Sequence, residues 1–224
     1  MIEDTKEGMT VVWDNRHLLW VGLRYTFKLF AVIIVLCTAI GIFGGVGLLY
    51  GNRLIKVVIR AYVDIIRGTP LIVTIFLIFY VPSGYEIDIS PFSSIALALS
   101  IFGGAHMSEI VRGAIGSIGK GQSDAAKSIG LTFWPRLFSI LLPQAFPLMI
   151  PPWTNLAVDL FKGTSLAILV SQPDFLFAVQ KRATAKGHYF SFYMSALAVY
   201  FVCCFVMSRA GAWLGRRARY GLAG

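Results

Sequence analysis

Gln122-Ser-Asp-Ala-Ala-Lys-Ser-Ile-Gly130, with Ile140-Leu-Leu-Pro143 a few residues on, is a polar island between two long apolar runs. Its charges are mixed, its alanines favour helix, and Gly116, Gly119, Gly121 and Gly130 punctuate it. The flanking runs are apolar enough to lie in a bilayer. The island therefore reads as a short helix on one membrane face, suited to touching a soluble partner.

The rest of the chain agrees. Of 224 residues, 57% are hydrophobic and 14% charged, where a soluble domain carries about 25% charge. Mean hydropathy is +0.72, and several stretches exceed the roughly 18 apolar residues that mark a membrane helix. The fold class is an all-α integral membrane protein. The net charge of +9 does not point to nucleic acid, because the cations gather at the ends of apolar runs rather than among exposed aromatics. Cys37, Cys203 and Cys204 lie in apolar segments and imply no disulfide framework. They form no metal-ligand spacing with His17, His106 or His188. The first apolar run is too long for a signal-peptide core and reads as a retained helix.

Five spans can be placed, at about 20–49, 69–81, 92–115, 137–160 and 190–213. Before the second, Gly51-Asn-Arg-Leu-Ile-Lys56 opens a basic amphipathic stretch to about Ile66, an interfacial helix. The second span begins at Arg67-Gly-Thr-Pro70, where proline suits a first helical turn. Gly103-Gly104 permits close approach in the third. Pro143, Pro147, Pro151 and Pro152 predict kinks in the fourth. One set of loops carries Arg53, Lys56, Arg60, Arg112, Lys120, Lys127, Arg136, Arg209, Arg216, Arg217 and Arg219. The other carries six cations (Lys6, Arg16, Lys162, Lys181, Arg182 and Lys186) diluted by acids. The positive-inside rule puts the first set in the cytoplasm, the N-terminus outside and the C-terminus inside. The organisation expected is one membrane domain over 1–224, with an external tail at 1–17, a membrane core at 18–219 and a cytoplasmic loop at 116–132. Trp13, Trp20, Trp134 and Trp213 read as interface anchors.

No catalytic constellation or metal site is present in the sequence. Gly113-Ala-Ile-Gly-Ser-Ile-Gly-Lys-Gly121 differs from a phosphate loop by one residue of spacing, and Gly121 stands where Ser or Thr must hold magnesium. If ATP drives this protein, another chain must bind it.

Five motifs in order carry a resemblance. They are Arg60-Ala-Tyr-Val-Asp-Ile-Ile-Arg-Gly-Thr-Pro-Leu71, Ser108-Glu-Ile-Val-Arg-Gly113, Lys120-Gly-Gln-Ser-Asp-Ala-Ala-Lys-Ser-Ile-Gly-Leu131, Leu141-Leu-Pro-Gln-Ala145 and Lys162-Gly-Thr-Ser-Leu166. From about Leu18 to Arg219 the chain resembles a permease subunit of the bacterial ABC importers for polar amino acids, the histidine, glutamine, glutamate, arginine and opine type. The resemblance implies a type I importer fold in the bacterial inner membrane. It implies a dimer with an identical or homologous permease, two ATPase subunits that hold ATP and magnesium, and an extracytoplasmic binding protein that delivers substrate. Membrane lipid surrounds it and nucleic acid is not a partner. It further implies that Gln122, Asp124, Ala125, Ala126, Lys127 and Gly130 meet the ATPase. A merely solvated surface helix is the alternative for that segment. A self-sufficient channel or ion-coupled carrier is the alternative function, although the buried ionisable groups and internal repeats expected of a carrier are not evident.

Some residues depart from the family pattern. Asp124 stands where Glu is usual, His106 where Tyr is usual, and Gly163 replaces an acid beside Lys162. Asp159 lies where the family more often has a small or neutral residue. Asp159, Asn155, Thr164 and Ser165 are candidates to line the substrate path, Asp159 meeting an ammonium group. The alternative for Asp159 is an i,i+3 ion pair with Lys162. Glu109 and Arg112 have the same spacing and read as a structural ion pair.

Overall fold

The computed structural model describes residues 2–220, with side chains from 7 to 218. Met1, residues 221–224 and the side chains of Lys6 and Arg219 therefore lie outside the described residues. The described chain is helical throughout: α1 (Ile2–Asp14), α2 (Arg16–Tyr50), α3 (Arg53–Gly68), α4 (Leu71–Ser83), α5 (Pro91–Gly116), α6 (Lys120–Ser128), α7 (Phe133–Arg136), α8 (Leu142–Gly163), α9 (Phe175–Lys186) and α10 (Tyr189–Tyr220). Four runs are long and apolar enough to cross a membrane: Arg16–Tyr50, Pro91–Gly116, Phe133–Val170 and Tyr189–Ala218. A fifth is added if Arg53–Gly68 and Leu71–Ser83 are one broken span.

The break between α3 and α4 is set locally. Asn52 Oδ1 accepts the Ile55 N–H at 2.9 Å and starts α3. Thr69, held extended at φ −101° and ψ 135° before Pro70, ends it. Between α7 and α8 the backbone makes a π-turn, Leu137–Leu141, just ahead of Pro143. The Leu142 N–H reaches back to the Leu137 carbonyl there, so the proline disrupts the register without ending the helix.

Two stretches differ from the sequence expectation. Residues 1–17, expected as a tail, contain α1 and the start of α2. The segment 162–188, expected as a long loop, contains a 3-10 turn (Thr164–Val170) and α9. Both are held by packing. Leu19, Phe175, Val179, Ala183, Phe192 and Ala196 form a buried cluster, with Val11 and Val12 against it.

The chain divides into two compact units. Unit 1 comprises 1–35, 70–100 and 159–206, and unit 2 comprises 36–69, 101–158 and 207–224. Unit 1 contains the α9 cluster and an aromatic group around Phe161, whose ring lies 5.4 Å from Phe27, 5.3 Å from Phe30 and 5.8 Å from Tyr200. Each such pair contributes about 0.5–1.5 kcal/mol beyond area burial. In unit 2, α2 carries Gly41, Gly44 and Gly45 against α5. A Cβ on these would run into Met107, Ser108 and Val111. Small residues here let two backbones approach. Tyr62 of α3 donates its hydroxyl to the Ile101 carbonyl of α5 at 2.6 Å.

The charges divide unevenly between the units. Unit 2 holds twelve of the 20 Lys and Arg residues and three of the 11 acids, which leaves +9. Unit 1 holds the remaining eight of each and is neutral.

Asp174 starts α9. Its Oδ1 accepts the Phe177 N–H at 2.8 Å, while Oδ2 is buried with no hydrogen-bond partner. Burial pushes this carboxyl up to about 6, against the opposing pull of the Phe177 and Leu176 amides. The folded state then keeps its proton to higher pH than the unfolded chain, where Asp titrates near ~3.9. Stability should therefore be greatest below about pH 4, fall as pH rises through about 4–6, and stay level above. Asp174→Asn keeps an accepting oxygen for Phe177 and removes the charge. In thermal unfolding at pH 5 and pH 7.5, the variant should lose this component of the pH slope and melt higher than the wild type at pH 7.5. An unchanged difference between the two pH values would refute the assignment.

Candidate functional site

The polar island is the free-standing helix α6. Gly119 precedes it with no side-chain cap. Its C-terminus is closed by backbone geometry: Gly130, at φ +80°, donates to the Lys127 carbonyl at 2.9 Å, and Leu131 donates to Ala126 at 3.0 Å. These two bonds make a Schellman closure with glycine at its left-handed position. A side chain at 130 would be strained there.

The outward face of α6 is polar. Asp124 and Lys127 pair at 2.9 Å with side chains 65% and 56% exposed. The Lys127 ammonium holds the Asp124 carboxyl below the usual carboxylate range. Ser128 donates to the Asp124 carbonyl at 3.0 Å. Gln122 and Ala125 are exposed. Ala126 is not: it is 4% exposed and packs inward, so its small size serves the fit of α6 to its own chain. Of the two alanines expected to meet the ATPase, Ala125 is exposed and Ala126 is buried against its own chain.

Two residues of this site were not singled out in the sequence. Ile129, just past α6, is 77% exposed, a large apolar side chain in an otherwise polar loop. Gln144 of α8 donates to Gln122 at 3.4 Å and to the Ile140 carbonyl at 2.9 Å, so one amide spans from α8 to the first turn of α6. The signal for Ile129 was available, since it interrupts a polar run. The signal for Gln144 was not, because it depends on a contact 22 residues away.

At the end of α5, the predicted Glu109–Arg112 pair is present. Arg112 donates to Glu109 Oε2 from Nε at 2.9 Å and from Nη2 at 2.7 Å. A third member joins it: Arg60 of α3 donates from Nη1 to Glu109 Oε1 at 2.8 Å and lies 3.9 Å from Asp64. Glu109 is 17% exposed. Both its oxygens are thus occupied, one by each helix. The two guanidiniums satisfy the largely buried carboxylate while remaining 46% and 39% exposed themselves. His106 is satisfied within α5, with Nδ1 3.0 Å from the Phe102 carbonyl.

The expected path residues separate. On α8, Asn155 and Asp159 are exposed. Asp159 also pairs with Lys162 at 3.3 Å, the two side chains 72% and 58% exposed. Thr164 is fully buried and donates to the Phe161 carbonyl at 2.7 Å. Its hydroxyl is spent on the helix end. Ser165 is half-buried. Gly163 lies close to Leu99, and an added Cβ would come within 2.8 Å of Leu99 Cδ2, which gives a packing reason for glycine beside Lys162. Trp13, Trp20, Trp134 and Trp213 are all more than half exposed. Arg16, Arg24 and Arg217 lie over the rings of Trp13, Trp20 and Trp213 respectively. Among the described residues, no His, Cys, Asp and Glu group is arranged to hold a metal.

Comparison with known proteins converges. Residues 37–220 match the family described as binding-protein-dependent transport system inner membrane component. The L-cystine transport system permease protein TcyB of Bacillus subtilis (strain 168) is 36% identical over 225 residues, covering 94% of this chain and 92% of that protein. The probable glutamine ABC transporter permease protein GlnP of the same organism is 32% identical over 203 residues, covering 88% and 93%. A solved structure, "Crystal structure of an amino acid ABC transporter with histidines", superposes with a TM-score of 0.87 at 26% identity, covering 93% of this chain and 98% of that one.

The Glu109 triad yields a measurable coupling. In a double-mutant cycle of Arg60→Ala and Glu109→Gln, read by thermal or denaturant unfolding, the interaction energy should fall in the range of about 0.5–3 kcal/mol. Strict additivity would mean that Arg60 does not fasten α3 to α5.

Proposed function

Since this chain belongs to the binding-protein-dependent transport inner membrane component family, we propose that it is driven from its cytoplasmic face through α6 and Ile129. It is the permease subunit of an ABC importer for polar amino acids, a multi-pass protein of the bacterial inner membrane. ATP is hydrolysed by a separate ATPase, a reading supported by the family and compatible with a Gly113–Gly121 segment that lacks the spacing and hydroxyl of a phosphate loop.

The topology in this reading has five spans, N-terminus outside and C-terminus inside. The uneven charge supports it, because the whole +9 lies on unit 2 and cations are retained on the cytoplasmic side. Two permeases stand on two ATPase subunits, and an extracytoplasmic binding protein delivers substrate from the opposite membrane face. Closure of the ATPase dimer pushes on α6, and the permease switches between outward and inward access as a rigid-body transition.

The observation that carries the function is the construction of α6. It exposes Gln122, Asp124, Ala125, Lys127 and Ile129 while Ala126, the Gly130 closure and the Gln122–Gln144 bond tie it to its own chain. Ile129 supplies the apolar anchor and the Asp124–Lys127 pair the polar rim, the usual division of an interface. On the substrate path, Asn155 and Asp159 occupy an exposed face of α8 one turn apart. Asp159 offers a carboxylate to the ammonium group every amino acid carries. Its pairing with Lys162, open to solvent, is weak enough to be exchanged.

Two variants test this in proteoliposomes that contain the ATPase and are supplied with binding protein. Asp124→Lys should leave the complex assembled and reduce the uptake per ATP hydrolysed by about tenfold or more, because the reversed charge opposes the contact it is proposed to make. Intact coupling would remove the carboxylate from the contact and leave Ala125 and Ile129. Asp159→Asn should reduce uptake with ATPase assembly unchanged. Unimpaired uptake would assign Asp159 to its ion pair alone.

A further inference from the structure

In unit 2 an apolar cavity of about 530 Å³ is lined by Ile42 of α2, Met107 of α5, Phe146, Ile150 and Trp153 of α8, and Arg217 of α10. Its floor is buried: Met107 is 3% and Ile150 8% exposed. Its rim is open, with Ile42, Phe146 and Leu214 41%, 63% and 46% exposed. The Trp153 indole N–H is already spent on Thr38 Oγ1 at 3.0 Å, so it offers nothing to a polar guest. Among the described lining residues Arg217 is the one charged side chain, and no carboxylate stands with it. Its guanidinium lies over the Trp213 ring at 5.3 Å, which holds the fork without occupying its N–H groups.

We propose that this cavity binds an anionic phospholipid, with an acyl chain along the apolar wall and the headgroup phosphate on Arg217. The lining is amphiphilic in one sense only, a long apolar surface ending in a single cation. A polar amino acid fits it poorly, because its ammonium and carboxylate would be desolvated with one partner between them. A phospholipid matches both ends. Its chain has the chemistry of the wall, and its phosphate has the geometry that a guanidinium fork binds with parallel hydrogen bonds. Basic pockets between membrane helices on the cytoplasmic side are recognised sites for acidic headgroups, and the surrounding unit carries the entire net charge of the chain. The choice of the cytoplasmic leaflet rests on the topology proposed above. Occupancy of the cavity does not.

Trp153 reports on the site directly. The full chain, assembled with its ATPase, is prepared with Trp13, Trp20 and Trp134 replaced by Phe and Trp213 kept because it holds Arg217. The Trp153 signal is taken as the difference from a matched Trp153→Phe sample, and the protein is placed in phosphatidylcholine nanodiscs. These are doped with phosphatidylglycerol or phosphatidylcholine carrying brominated chains, which quench indole fluorescence on contact. Brominated phosphatidylglycerol should half-quench Trp153 at about fivefold lower content than brominated phosphatidylcholine, the preference expected from one favourable cation. Arg217→Gln should abolish that preference, Arg217→Lys should retain part of it, and Arg216→Gln should leave it intact. Equal quenching by the two lipids in the wild type would overturn the proposal. So would an Arg216→Gln effect as large as that of Arg217→Gln, which would mean diffuse surface charge. Absence of quenching by either lipid would also overturn it and would mean that protein, such as the second permease copy, covers the cavity. Fluorescence is read without transport, so failure of the importer assignment would show in uptake and leave this result unaffected.

Discussion

The close approach of α2 to α5 is the constraint on which unit 2 depends. Gly41, Gly44 and Gly45 have no side chains to hold the helices apart, and the space is filled from the other side by Met107, Ser108 and Val111. In a bilayer there is no hydrophobic gain from hiding one apolar helix face against another, so close packing and polar contacts must supply the association. The same short stretch of α5 carries both. Glu109 lies between Ser108 and Val111 in sequence, and it gathers Arg112 from its own helix and Arg60 from α3. Steric closeness brings the helix into place, and the carboxylate fixes the partner that runs beside it.

That arrangement explains why the cations of this chain are tolerated at the ends of its helices. Unit 2 has twelve cations and three acids. Of those acids, Glu109 pairs with both Arg60 and Arg112, Asp64 lies beside Arg60, and Asp124 pairs with Lys127. Only Glu109 joins two helices, the other two acids pair within their own helices, and the excess cations are left as a field. A field of that kind orients a membrane protein without specifying any contact. The fold and the orientation draw on the same residues in different ways.

What could be read from the sequence follows from the range of each interaction. The α3–α4 break was legible because proline acts on its immediate neighbour, and the Glu109–Arg112 pair because its spacing is three residues. Arg60 was not legible as a partner of Glu109, being 49 positions away on another helix. The glycine face of α2 was also missed, since glycine draws attention as a turn former and here serves as a contact surface. Helix α9 is the instructive omission. Lys181, Arg182 and Lys186 lower its mean hydropathy to that of a loop, yet Asp174 before it, Phe175, Val179 and Ala183 at four-residue intervals, and Gly187 after it are complete helix signals. Hydropathy concealed what periodicity would have shown. Ala125 and Ala126 show the opposite limit: two adjacent alanines look equivalent in a sequence, and a helix necessarily points them about 100° apart, here one exposed and one buried.

The distinction between those alanines bears on how a nine-residue helix can transmit force at all. An isolated helix shorter than about 12–15 residues is marginal in water, and α6 lacks a side-chain cap at its start. A partner pressing on such an element would melt it before moving anything behind it. Three attachments oppose that. Ala126 is packed inward, the Gly130 closure satisfies the last carbonyls, and Gln144 reaches from α8 to Gln122 at the uncapped end. Each is weak by itself, but they act at the middle and both ends. The helix is therefore stiffest as a body when its exposed face is loaded. In the proposed reading, in which an ATPase presses on α6, the inward alanine, the glycine and the bridging glutamine are what would let it act as a lever.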